Sequence, residues 1–186
     1  MSKIIIPLAT GFEEIEAVTI IDVLRRADIE VVIIALDQNL LVTGANSITI
    51  QAQKEITKID SNDFDMIILP GGAQGTQNLS EDKNVQNILQ EFNRQNKNIG
   101  AICAAPYALH TAGVLKQNYT CYPSFEKKIR EDGYQSDKAM VIEDENILTS
   151  RGPGTAMCFG LEIVKKLQGN DVYLEVKEGL LANYCK

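Results

Sequence analysis

Short apolar runs recur along this chain, and most are followed by a stretch with helical periodicity or by a glycine-rich turn. Lys3 to Leu8, Glu30 to Leu36, Asp65 to Leu69, Asn98 to Ile102 and Ile147 to Ser150 read as strands. Helical patterns cover Glu13 to Ala27, Glu81 to about Gln95, Ala104 to Ala112 and about Thr155 to Leu167. Strands that are apolar on both faces need cover on both faces, and helical crossovers between them make them parallel. The alternation therefore predicts an α/β fold, a mostly parallel sheet between two helical layers. Two further strands are predicted near Tyr119 to Cys121 and Ala139 to Ile142. Leu40 to Val42 and Ser47 to Ala52, bracketing Gly44 to Asn46, have the form of a hairpin. Ser80 is the predicted N-cap of the second helix, with Glu81 and Asp82 in its first turn, where the helix dipole favours anions.

Residues 1–186 read as one domain, since the chain has no linker-like segment and no internal repeat. The apolar start is too short for a signal-peptide core or a membrane span, so a cytoplasmic location is expected, with no membrane binding. A net charge of -7 argues against a phosphate-backbone partner, and nucleic-acid binding is not expected. The four cysteines, Cys103, Cys121, Cys158 and Cys185, are widely spaced and show no zinc-type pairing. No metal is expected. In a reducing compartment each cysteine is by default a buried small hydrophobe.

Cys103 departs from that default. It ends a strand and opens a helix directly, with Pro106 in the first turn, which is the elbow arrangement that lifts a nucleophile to the carboxyl end of a sheet. A helix N-terminus would hold its thiol below the ordinary value of about 8.5. Glu16 falls on the same helix arc as Ile20, Val23 and Ala27, so a carboxyl group faces the core. A protonated Glu16 could donate a hydrogen bond to the thiolate. Gly71, Gly72 and Gly75 follow a central strand, and with the Ala104 N–H their backbone could hold an oxyanion. His110, the only histidine, is two turns beyond Cys103, about 10 Å along the axis, too far for a Cys–His dyad.

Four motifs in order, GFEEIEA at Gly11 to Ala17, LPGGAQGTQNLSE at Leu69 to Glu81, AICAAP at Ala101 to Pro106 and TSRGPGTA at Thr149 to Ala156, resemble the ThiJ/PfpI family in its DJ-one branch. The resemblance implies a flavodoxin-like three-layer sandwich of the class I glutamine-amidotransferase-like type. It further implies a homodimer, no cofactor, Cys103 as oxidisable nucleophile, Glu16 as its protonated partner, and Gly72 and Ala104 as backbone donors. Gly71, Asn46, Ala73, Tyr122 and Pro153 would line the pocket, with the first strand and the cysteine strand adjoining at the sheet's switch point.

Several positions depart from the human member of this branch. Tyr122 stands before Pro123 where that protein has histidine, Asn46 where it has arginine, and Ala73 where it has asparagine. Ala104 replaces the histidine that follows the nucleophile in the PfpI protease branch, so proteolysis is not expected. The resemblance implies an enzyme acting on reactive carbonyls such as glyoxal or methylglyoxal, free or already added to protein, of the glyoxalase or deglycase type. The alternative it implies is a redox-sensing chaperone whose Cys103 oxidises to a sulfinate. A thiazole monophosphate label for thiamine synthesis is attached to relatives, and no residue here supports it. On the first helix, Ile15 and Val18 fall outside the core arc, among Glu14, Thr19, Asp22, Arg25 and Arg26. They are the expected dimer contact, and Arg26 would then approach the partner's Cys103 pocket.

Overall fold

The computed structural model describes residues 2–185. In chain order the elements are β1 (Lys3–Leu8), α1 (Glu14–Arg26), β2 (Glu30–Ala35), β3 (Leu41–Thr43), β4 (Thr49–Gln51), β5 (Lys54–Glu55), β6 (Met66–Leu69), α2 (Ala73–Glu81), α3 (Lys83–Arg94), β7 (Asn98–Ile102), α4 (Pro106–Thr111), α5 (Glu126–Ile129), β8 (Val141–Asp144), β9 (Ile147–Ser150), α6 (Ala156–Gln168) and α7 (Asn170–Gly179). A seven-stranded sheet has the order β5-β2-β1-β6-β7-β9-β8, and β3 and β4 form a separate hairpin. All neighbours in the large sheet are parallel except β8 and β9.

Period-two alternation along the central strands feeds two cores, one on each face of the sheet. Ile4, Ile6 and Leu8 of β1, Val31 and Ile33 of β2, and Met66 and Ile68 of β6 pack with α1 and α6. Ile5, Ile34, Ile67, Leu69, Ile99 and Ala101 point the other way, against Leu79, Val85, Leu89, Phe92 and Leu109 of α2, α3 and α4. The predicted layered α/β architecture is observed.

Several local expectations are corrected. Ser80 lies inside α2, where its hydroxyl donates to Gln77 O at 2.7 Å. The cap of the next helix is Asp82, whose Oδ1 accepts from Asn84 N at 2.9 Å and Val85 N at 3.0 Å. Asp82 offers a short side-chain acceptor two residues closer to the apolar run. Tyr119 to Cys121 forms only an isolated bridge from Tyr119 to Tyr134, because the Thr120 N–H is taken by Thr149 Oγ1 at 2.9 Å. The strand predicted at Ala139 to Ile142 starts at Val141. The first strand and the cysteine strand do not adjoin, since β6 lies between β1 and β7. The winding order of the strands reverses between β1 and β6, and the loop after β6 consequently lies beside both Glu16 and Cys103.

The cysteines are also corrected. Cys158 in α6 and Cys185 beyond α7 form a disulfide, with Cα atoms 5.1 Å apart, leaving Cys103 and Cys121 free. α7 folds back along α6, with Tyr173 and Val176 buried in the same core as Cys158 and Phe159, and this return brings together two residues 27 positions apart.

Candidate active site around Cys103

Cys103 occupies the turn between β7 and α4 with φ +63°, a left-handed conformation seldom taken by residues that carry a Cβ. Two long-range hydrogen bonds hold it there. Its N–H donates to Ser150 O at 2.9 Å, and its carbonyl accepts from Tyr122 N at 2.8 Å. The surrounding fold thus fixes a backbone state that the residue itself disfavours. α4 begins at Pro106, three residues later, so the side chain lies ahead of the helix end from which acidification was expected.

Glu16 lies in α1 and is completely buried. Its Oε2 accepts from Gly71 N at 2.8 Å. Oε1 is buried without a hydrogen-bond partner, and the ionisable group that faces the carboxyl is the Cys103 thiol. Gly71 lies against both groups. A Cβ at that position would meet Cys103 Cβ at 2.6 Å and Glu16 Oε2 at 2.7 Å, closer than real Cβ contacts come, so only glycine lets carboxyl and sulfur share the space. Gly72 has φ +93°, and a Cβ there would meet Gly11 O at 2.3 Å. Its N–H, with that of Ala104, is directed at the sulfur.

Burial pushes the Glu16 carboxyl up to about 7, against the hydrogen bonds from Cys103 and Gly71. Burial also raises the Cys103 thiol, and the facing Glu16 carboxylate raises it further, against the Gly72 and Ala104 N–H donors. The expected acidic cysteine is therefore replaced by a coupled pair. Above about pH 7 the pair carries one negative charge and one proton. When that proton lies on Glu16, the sulfur is a thiolate flanked by a carboxylic acid and two backbone donors.

The other predicted pocket residues are placed less uniformly. Tyr122, half-exposed, is tied to the nucleophile through its N–H, and its ring lies against Gly152, where a Cβ would sit 3.2 Å from Tyr122 Cδ2. Pro153 opens a short turn after β9, and exposed Ala73 begins α2 directly after Gly72. Asn46 turns away from the sulfur toward Glu14. Its N–H and its Nδ2 donate to the two Glu14 carboxylate oxygens at 2.6 and 3.0 Å, and Ile48 N adds a third bond at 3.4 Å. Glu14 had been grouped with the outward side of α1, yet it is buried under the hairpin turn. It anchors that turn, a role invisible on a helical wheel because the covering loop comes 30 residues later. His110 is exposed on α4. Ile15 and Val18 are 59% and 50% exposed, and Arg26, at the far end of α1, pairs with Asp22 at 2.7 Å.

A model of the DJ-1/PfpI family matches residues 2–166. The chain belongs to the DJ-1/PfpI family. It is 37% identical over 186 residues to the Drosophila melanogaster protein dj-1beta, covering 99% of this chain and 100% of that one. The crystal structure of the Drosophila DJ-1beta superposes with a TM-score of 0.93 over 97% of this chain and 98% of the other. A Schizosaccharomyces pombe relative, named glutathione-independent glyoxalase DJ-1, is 33% identical over 188 residues, 97% of this chain and 98% of its own. The oxidized Toxoplasma gondii DJ-1 structure gives a TM-score of 0.92 at 32% identity, over 97% of this chain and 98% of that one. The Arabidopsis thaliana DJ-1 homologues B and A are each 36% identical over 96% of this chain, which spans only 41% and 46% of their lengths. The flavodoxin-like DJ-1 fold is thus the fold of this chain.

Proposed function

We propose that this DJ-1/PfpI protein is a stress-response enzyme that converts reactive dicarbonyls such as methylglyoxal, free or added to protein groups, through a hemithioacetal on Cys103. The observation that carries the proposal is the Cys103–Glu16 pair, brought together where Gly71 leaves no Cβ to keep them apart. Glu16 takes the thiol proton as sulfur adds to the aldehyde carbon. It then returns a proton to the new oxygen, while the Gly72 and Ala104 N–H groups stabilise negative charge during addition. Moving hydrogen from the aldehyde carbon to the neighbouring ketone carbon gives a lactyl thioester, and water releases lactate and the free thiol. The aldehyde carbon is oxidised and the ketone carbon reduced, so no cofactor enters the balance. The name of the S. pombe relative supports this substrate class.

The pH profile tests the role of Glu16. Below about pH 7 the pair holds both protons, so lactate formation should rise as pH rises through that value. The rise should vanish in Glu16→Gln. Stability runs the opposite way. A carboxyl raised above its unfolded value of 4.5 stabilises most below that value and loses the contribution as pH climbs through about 7. Glu16→Gln should consequently gain up to about 3 kcal/mol on the native chain between about pH 5 and 8, at ~1.4 kcal/mol per tenfold. Urea melts at the two pH values measure this, and a constant difference would remove Glu16 from the titrating pair.

A second reading makes Cys103 a redox sensor of a chaperone, oxidised once by peroxide to a sulfinate held by Glu16 and the same N–H donors. The oxidized Toxoplasma structure favours it. Turnover separates the two, since an enzyme forms lactate well beyond one equivalent of protein.

We further propose a cytoplasmic homodimer built on α1. Ile15 and Val18 give it an exposed apolar stripe, and two-fold packing would bring Arg26 toward the partner's site. Ile15→Asp with Val18→Asp should convert a dimer to a monomer by light scattering. A native chain already monomeric at micromolar concentration would refute the interface.

A further inference from the structure

We propose that the Cys158–Cys185 disulfide is a thiol-exchange site, at which a small thiol entering through a cavity beside α6 becomes bonded to Cys158 and frees the C-terminal segment. The cavity, about 600 Å³, is bounded by the segment from Asp137 to Val141, by Glu143 and Leu148, and by Cys158, Glu162 and Lys165 of α6. Cys158 belongs to its wall and Cys185 does not. Exchange at sulfur requires a thiolate to attack one sulfur in line with departure of the other. A thiolate that reaches sulfur from this cavity would take Cys158, with Cys185 as leaving group.

The segment beyond α7 is poised to leave. Its backbone hydrogen bonds are all local, from Leu180 N to Val176 O, Leu181 N to Glu178 O, Ala182 N to Lys177 O and Cys185 N to Ala182 O. Leu181 and Tyr184 are 81% and 54% exposed. Among the described residues, burial of Ala182 and Cys185 and partial packing of Leu180 are its other ties to the body. Cutting the disulfide removes its covalent cross-link to α6.

The chemistry balances with the thiol as sole co-reactant. A thiolate RS⁻ adds to the Cys158 sulfur, the sulfur–sulfur bond breaks, and Cys185 departs as thiolate, with no net change of oxidation state. A second RSH then displaces the mixed disulfide as RSSR, returning Cys158 to a thiol, so two electrons pass from two thiols to the protein. The reverse sequence with RSSR closes the link again.

The test uses reduced glutathione on the folded, full-length protein without denaturant, followed by acid quench, iodoacetamide and peptide mapping. A glutathione adduct on Cys158 with an alkylated Cys185, and faster amide exchange at Ala182 and Cys185 than across α7, are expected. An adduct on Cys185, or exchange only where the protein unfolds, would overturn the proposal. Val141→Trp, filling the cavity, should slow native exchange several-fold while leaving exchange in denaturant unchanged. An undiminished native rate would show that the thiol does not use this route.

Discussion

Cys103→Ser should lower methylglyoxal-dependent lactate formation by at least ~10³-fold while leaving near-ultraviolet circular dichroism and the melting transition in place. The hydroxyl fits the same turn, but it is a far weaker nucleophile than a thiolate and cannot form the hemithioacetal. The second free thiol cannot substitute, because Cys121 is fully buried and burial pushes it up to about 12. Product should be quantified by an enzymatic lactate assay at several protein concentrations. A serine variant within tenfold of the native rate would remove Cys103 from the chemistry. A native protein that makes no more than one equivalent would favour oxidation sensing instead.

The second large effect concerns stability. Replacing both Cys158 and Cys185 with serine removes a link that closes a 27-residue separation. Loop-closure entropy assigns such a link about 3 to 4 kcal/mol, and two buried hydroxyls add to the loss. Equilibrium urea unfolding of the double variant should show a midpoint lower by that amount in free energy, with site chemistry retained. Reducing the native protein should reproduce most of the change. Identical midpoints for oxidised, reduced and double-serine protein would mean the disulfide does not stabilise this fold.

Much of the fold could be read from local pattern because its central strands are almost wholly apolar. β1 and β2 announce themselves through β-branched runs, and β6 and β7 through apolar runs that stop at Pro70 and Cys103. α2 was missed because Ala73 to Glu81 is largely polar and begins with two glycines at its door, so neither periodicity nor a side-chain cap marks it. Strand order is a nonlocal property. Apolar strings cannot say that β6 intervenes between β1 and β7, and that intervention is what sets Gly71 against both acid and thiol. Cys103 and Glu16 were visible for different reasons, one as a residue at an abrupt strand end, the other as a charge on an apolar arc. The mutual titration of the pair was not visible. A helix-dipole argument treats the sulfur alone, whereas burial beside a second ionisable group governs both. Cys158 and Cys185 are joined by a helix reversal that no spacing rule anticipates.

The two ends of the large sheet bear on how copies of this protein can meet. One margin is β5, only two residues long, and the other is β8, an antiparallel strand whose last two residues are Glu143 and Asp144. A stub offers too few free amide and carbonyl groups to template an incoming strand, and the β8 margin is occupied by side chains, with Glu143 paired to Lys166 and Asp144 accepting from Asn118 N at 2.7 Å. Edge-to-edge growth into filaments is thereby discouraged at both borders. The helical faces are the surfaces these borders leave for a second copy, as the proposed α1 contact requires.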